Sequence, residues 1–153
     1  MNALFKKLNF KEHNQIVVIN SPESFEKELI EIKNLAKIKK ELKNASKIEF
    51  ILIFVTRKNE INKIIAKIDK LIIDDATLWF AYPKGTSKNY KCDFNRDTGW
   101  DALGKHGFEG VRIVAIDKDW SALRFRKVKH IKKMSRTKSM ALTNEGKFKT
   151  TGK

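Results

Sequence analysis

Apolar residues along this chain follow two rhythms, and the change from one to the other marks its elements. Ile16-Val17-Val18-Ile19 is a short β-branched run followed by Asn20-Ser21-Pro22-Glu23. Ser21 suits a helix cap, Pro22 the first helical position and Glu23 the positive end of the helix dipole. Phe25, Leu29, Ile32, Leu35, Ala36 and Leu42 then recur at helical spacing, which predicts a helix from about Glu23 to Leu42. Ile48 to Val55 is nearly continuously apolar, the pattern of a central parallel strand covered on both faces. After Asn59, a plausible cap, Ile61, Ile64, Ile65, Ile68, Leu71 and Ile72 fall on one helical stripe. Asp74-Asp75 are expected to turn the chain into a third buried strand, Thr77 to Tyr82, stopped by Pro83.

Beyond Pro83 the pattern changes. Thr98-Gly99-Trp100-Asp101 matches a capping box opening a short helix. Val111 to Ile116 and Ser121 to Val128 flank Asp117-Lys118-Asp119-Trp120 as a hairpin. The expected fold is therefore α/β: a Rossmann-like three-layer sandwich whose mainly parallel sheet of about five strands ends in an antiparallel hairpin. With the Ile16, Ile48, Thr77, Val111 and Ser121 strands numbered in turn, the expected order is 1-2-3-5-4, without a switch point. The expected organisation is an N-terminal extension over 1–15, one domain over 16–128 and a basic tail over 129–153. In the tail, seven Lys and Arg residues from Lys132 to Lys153 face one acid, Glu145.

The 153 residues fit one domain. The longest apolar run, Phe50 to Val55, is far short of the roughly 20 residues a membrane-spanning helix needs. With no segment of signal-peptide length at the start, a cytoplasmic protein with no membrane partner is expected. Cys92 is the single cysteine, so neither an intrachain disulfide nor a cysteine-based zinc cluster is expected. The 33 Lys and Arg residues exceed the 18 acids by 15. Such an excess suits anionic partners, although a Lys-, Ile- and Asn-rich composition also follows from an AT-rich genome.

The segment Tyr82-Pro83-Lys84-Gly85-Thr86-Ser87-Lys88 follows the end of a predicted parallel strand, where α/β sheets place ligands. Lys84 and Lys88 can neutralise an anion, Thr86 and Ser87 can donate hydrogen bonds, and Gly85 lets the backbone approach closely. A phosphate-bearing or carboxylate small molecule suits the set, with Tyr82 and Arg96 beside it. An ordinary solvated turn is the plain alternative, and for Asp93, Arg96, Asp97 and Asp101 a helix cap with an ion pair is the plainer reading. Arg124 and Arg126 share one face of the final strand, where they bind phosphate or cover the sheet with their stems. With the tail they support the rival reading, sequence-independent nucleic-acid binding. Trp79 reads as core, whereas Trp100 and Trp120 are candidates for an exposed stacking platform. His13, His106 and His130 fall in no metal-ligand spacing, Cys92 has no nearby His to activate it, and no catalytic residue, metal or cofactor is assigned.

The Tyr82 to Lys88 run, Asp93-Phe94-Asn95-Arg96-Asp97 and Trp120-Ser121-Ala122-Leu123-Arg124-Phe125 resemble a bacterial family of unknown function. That family is marked by its Tyr-Pro-Lys loop and Trp-Ser-x-Leu-Arg-Phe hairpin. The resemblance spans about Ile16 to Val128 and implies no activity. The element order also looks like the C-terminal half of a Rossmann-like S-adenosylmethionine methyltransferase, leaving an unrecognised transferase as a further alternative. The Gly-rich turn of such enzymes is missing after Ile19, and Thr56-Arg57 follow Val55 where an acid is expected.

Overall fold

The near-continuous apolar stretch Ile48–Phe54 is strand β3 and lies inside the sheet, with five of its residues, Phe50 to Phe54, at 2 % exposure or less. The computed structural model describes residues 2–131, 134–137 and 150–152. Helix α1 (Ala3–Lys7) precedes β1 (Gln15–Ile19), α2 (Glu26–Ile32), β2 (Lys37–Lys39) and β3. Then follow α3 (Lys58–Ile68), β4 (Ile72–Pro83), α4 (Asp101–Lys105), β5 (Phe108–Ala115) and β6 (Trp120–Lys127). The short strands β7 (Met134–Thr137) and β8 (Thr150–Gly152) pair in parallel as a separate two-stranded sheet.

The main sheet has six strands in the order β2-β1-β3-β4-β6-β5. The first four run parallel, and β6 is inserted antiparallel between β4 and β5. Alternate side chains of the buried strands feed two cores. Phe50, Leu52, Phe54 and Trp79 meet Phe5, Leu8, Phe25, Leu29 and Ile32 from the α1 and α2 side. Ile51, Ile53, Leu78, Phe80 and Phe125 meet Ile61, Ile65, Ile68 and Leu103 from α3 and α4. Each fully buried Ile, Leu or Phe contributes about 1.5–3 kcal/mol, so these two faces dominate the stability. The protein is a Rossmann-like three-layer α/β sandwich.

Several local expectations are corrected. The chain leaves β1 through Asn20, at φ 58°, and a 3-10 turn at Glu23–Phe25, with Pro22 rather than Ser21 at the cap position. Helix α2 ends at Ile32, well before Leu42, and Lys37–Lys39 become a strand paired with Gln15 to Val17. Leu35 had extended the helical pattern, yet it is 53 % exposed and belongs to no core stripe. The extra strand places β2 on one side of β1 and β3 on the other, so a topological switch point lies between β1 and β3. Arg57, not Asn59, stands at the cap of α3, where the Glu60 carboxylate accepts from the backbone N–H of Thr56 and of Arg57, both at 2.9 Å. Asp74 and Asp75 lie within β4 rather than in a turn before it. Trp100, not Thr98, takes the cap position of α4. Among the described residues no helix is long and apolar enough to cross a membrane.

Candidate functional site

At the C-terminal end of β4 the chain needs an anchor for the loop that follows Pro83, and Asp119 in the β5–β6 turn supplies it. Lys84 donates its backbone N–H to the Asp119 carbonyl at 2.8 Å, and the Ser87 hydroxyl donates to the Asp119 carboxylate at 2.8 Å. Hydrogen bonds from Asn89 and Ser87 hold the Asp119 carboxyl below its ordinary pKa. The Ser87 oxygen in turn accepts from the backbone N–H of Tyr90 at 3.1 Å, which turns the chain back toward the sheet. Asp93 then binds the start of α3, accepting from the Lys58 N–H at 2.7 Å. Asn95 forms a tight Asx turn, its side-chain oxygen accepting from the N–H of Asp97 and Thr98 at 2.8 and 3.0 Å.

This folded-back loop borders an open cavity of about 660 Å³ with Tyr82, Lys84, Tyr90, Lys91, Phe94 and Arg96 in its wall. Pro83, Gly85, Ser87, Cys92, Asn95, Ile113 and Ser121 complete the lining, which therefore holds three cations and no carboxylate. Arg96 has an exposed ion-pair contact with Asp97 at 3.6 Å. The ring of Phe94 packs against Tyr82 and Trp100 at 5.9 and 5.1 Å, and Tyr90 lies 4.8 Å from Trp120. Burial pushes the Tyr82 phenol up to about 12, so it stays protonated at neutral pH and acts as a hydrogen-bonding group rather than a base. Burial likewise raises the Cys92 thiol, which disfavours the thiolate a nucleophile requires.

Of the residues singled out in sequence, Tyr82, Lys84, Gly85, Ser87 and Arg96 meet at this cavity, while Thr86 and Lys88 are exposed and stand outside its wall. Gly85 has no close approach to explain: a Cβ placed there meets nothing within 4 Å. Ser87 is committed to the loop itself. Arg124 and Arg126 lie on β6, away from the cavity wall, and Arg126 is held bidentately by Asp75 at 2.7 and 3.1 Å. Trp100 and Trp120 are each 3 % exposed, so neither forms a stacking platform. Most of the tail cations, Lys132, Lys133, Lys138, Lys147, Lys149 and Lys153, fall outside the described residues.

Of the wall residues, Lys91, Tyr90 and Phe94 are not singled out as ligand-binding in sequence, although the alternation Tyr90, Cys92, Phe94 in an otherwise polar segment is a usable signal. All three line the cavity.

The sheet order with its inserted antiparallel strand defines the class of the domain as Rossmann-like. No family model and no curated protein matches the chain. Among solved structures it is similar to a protein classed with the type 11 methyltransferases from Sulfolobus solfataricus. That likeness has a TM-score of 0.51 at 8 % identity and covers 82 % of this chain and 89 % of that one. A protein of the NADB-Rossmann superfamily from Streptococcus agalactiae aligns with a TM-score of 0.47 at 12 % identity over 83 % of this chain and 68 % of that one. A chain of a fibrillarin/Nop5p complex gives 0.45 at 9 % identity, over 77 % and 74 %.

A Rossmann-like sheet implies a nucleotide-type cofactor over the ends of β1 and its neighbours. The residues present do not fit one. Asn20 occupies the left-handed position after β1 with a side chain where a glycine permits close approach, and Pro22 has no N–H to offer a phosphate or carboxylate. The second strand in chain order is β2, so the position after it, where an acid is expected, falls near Glu41 and not at Thr56-Arg57; this acid alone, without the glycine turn after β1, does not make the site.

Proposed function

We propose that this protein is a binding module for an anionic small molecule, held in the cavity at the C-terminal end of β4. The observation that carries the reading is the composition of the wall: Lys84, Lys91 and Arg96 face a space bounded by Tyr82, Tyr90 and Phe94, with no acid among the lining residues. Three cations without a lining acid make a field that an anion neutralises. The rings supply flat apolar surface, so the ligand combines a phosphate or carboxylate with a planar, apolar body. Arg96 supplies a fork for two oxygens and the lysines act as point charges. The Tyr82 hydroxyl remains available as a neutral donor. Neither a carboxylate nor an imidazole is among the lining residues, so the wall supports a binding role.

Calorimetry against nucleoside monophosphates, aryl phosphates, aromatic carboxylates and inorganic phosphate tests the reading. A ring-bearing anion is expected to bind one-to-one and more tightly than inorganic phosphate. Arg96→Ala is expected to weaken it about tenfold or more, the size of one lost charge-assisted contact. Absence of saturable binding across the panel would sink the proposal.

The switch point between β1 and β3 supports a second reading, a transferase, because ligands of open α/β sheets lie at such points. Titration with S-adenosylmethionine separates the two. The turn Asn20-Ser21-Pro22 leads us to expect no isotherm, and micromolar one-to-one binding would make the transferase reading the leading one.

A further inference from the structure

The register of β5 and β6 sets Arg112 directly opposite Arg124, on the sheet face that also carries Trp79. On that face Val114 and Ala122 close the apolar core, and the next cross-strand pair toward the other end of β6 is the two arginines. Like charges directly opposite on adjacent strands destabilise a sheet. A third guanidinium, Arg126, follows on the same face, directly opposite the fully buried Glu109, so the uncompensated part of the face is the Arg112 and Arg124 pair. Asp75 gives both carboxylate oxygens to Arg126, and neighbouring Asp74 is taken by Lys129 at 2.7 Å and His130 at 3.1 Å. Among the described residues, no hydrogen bond or ion pair reaches Arg112 or Arg124, and the Arg124 Nε–H is shut off from water with no acceptor. The buried Nε–H holds the Arg124 side chain at a cost, and the opposed pair adds a second cost that an anion between the two guanidinium groups relieves. Burial lowers the Arg124 pKa, and its neighbours Arg126 and Arg112 lower it further against the opposing pull of Asp75.

We infer that Arg112 and Arg124 form a second anion site that takes a tetrahedral oxoanion, above all a phosphate group, bridging the two guanidinium groups. The ligand's oxygens accept from the terminal guanidinium N–H groups of both arginines. This site is independent of the cavity at the end of β4: Arg124 sits opposite Trp79 on the α1 and α2 side of the sheet, whereas Phe80 and Phe125 point to the other core. The phosphate group can be free or part of a phosphodiester chain, and the two sources have separate arms in the test.

Thermal unfolding in potassium phosphate, with potassium chloride at matched ionic strength as reference, reads the site. It is run on the wild type, on Arg112→Gln, and on both in a Lys84→Ala/Arg96→Ala background that disables the cavity. A short single-stranded oligoribonucleotide is the second probe. Arg112 is exposed, so its replacement leaves the core intact. We expect Arg112→Gln to raise Tm by about 1–3 °C in chloride, because the like-charge pair is gone, and to weaken half-saturation by phosphate at least about tenfold. The phosphate response should persist in the cavity-disabled background and vanish when Arg112→Gln is added there. If the oligonucleotide alone gives the Arg112-dependent response, the phosphate is polymer-borne. A response abolished by Lys84→Ala/Arg96→Ala alone, or unchanged by Arg112→Gln, overturns this site while leaving the cavity reading intact. An equal response to both salts overturns it as well.

Discussion

Gly99 faces Phe94 so closely that a Cβ added to Gly99 would lie 2.6 Å from the Phe94 Cβ, and Gly99 holds φ at 92°. Backbone conformation and space both demand glycine here, and Phe94 is one wall of the cavity. Gly99→Ala is expected to cost about 1–3 kcal/mol from the strained backbone, with the clash in addition. It should also weaken anion binding by displacing the Phe94 ring. Urea unfolding checks the first effect and calorimetry the second. Gly85→Ala, where space is open and φ is not left-handed, is the matched control for the urea experiment and should not destabilise the fold.

The two lysines that flank Thr86 and Ser87 differ in position and should differ in effect. Lys84 lines the cavity together with Lys91, while Lys88 does not. Lys84→Ala and Lys91→Ala should each weaken a bound anion several-fold to about tenfold, and Lys88→Ala should leave the affinity unchanged. Loss of affinity in the Lys88 variant equal to that in Lys91 would move the site onto the loop tip.

Asp69, at the end of α3, accepts from His106 at 2.8 Å and from Lys127 at 3.0 Å. Burial raises its pKa, but the hydrogen bonds from His106 and Lys127 outweigh this, and the net direction is down. A carboxyl lowered in the folded state contributes stability above its unfolded pKa of about 3.9 and loses it as pH falls through the folded value. Asp69→Asn should therefore cost about 1 kcal/mol at neutral pH, allowing for partial access of water. The difference from wild type should close as pH falls below about 4, in denaturant titrations across that range.

Tyr82 provides the opposite case. Its phenol is raised to about 12 by burial, above the unfolded value of about 10. The stability this gives is complete below pH 10 and is lost as pH rises through the folded value. Difference absorbance between the wild type and Tyr82→Phe should place the ionisation near 12. An ionisation close to 10 would mean that the phenol is open to water.

How far the sequence could be read follows from how local each signal is. The β-branched run at Ile16, the block at Ile48 and the stripe Ile61, Ile65, Ile68 declare strand or helix within a few residues, and β1, β3 and α3 appear at these places. Strand β2 does not declare itself. Lys37–Lys39 hold one half-buried apolar residue, Ile38, and pair only through β1, more than twenty residues earlier. The burial of Trp100 was equally hidden, because of its ring partners only Phe94 is near in sequence, while Phe80, Tyr82 and Phe125 come from β4 and β6. At the cavity, the strand-end position of Tyr82 and Lys84 was legible. The return of Tyr90 to Arg96 depends on Ser87 reaching Asp119 across 32 residues, which no local pattern encodes.

The two ends of the six-stranded sheet have a consequence of their own. One edge is β2, three residues long with Lys at both ends, and the other is β5, whose pairing is interrupted between Gly110 and Arg112. A short, lysine-flanked strand and a bulged, arginine-bearing one are poor templates for a foreign strand. This chain carries Phe50 to Val55, a segment of the kind that seeds cross-β stacking once its neighbours are gone. The guarded margins keep the folded molecules from adding to one another edge to edge, so self-assembly into fibrils must begin from chains in which β3 has already lost β1 and β4.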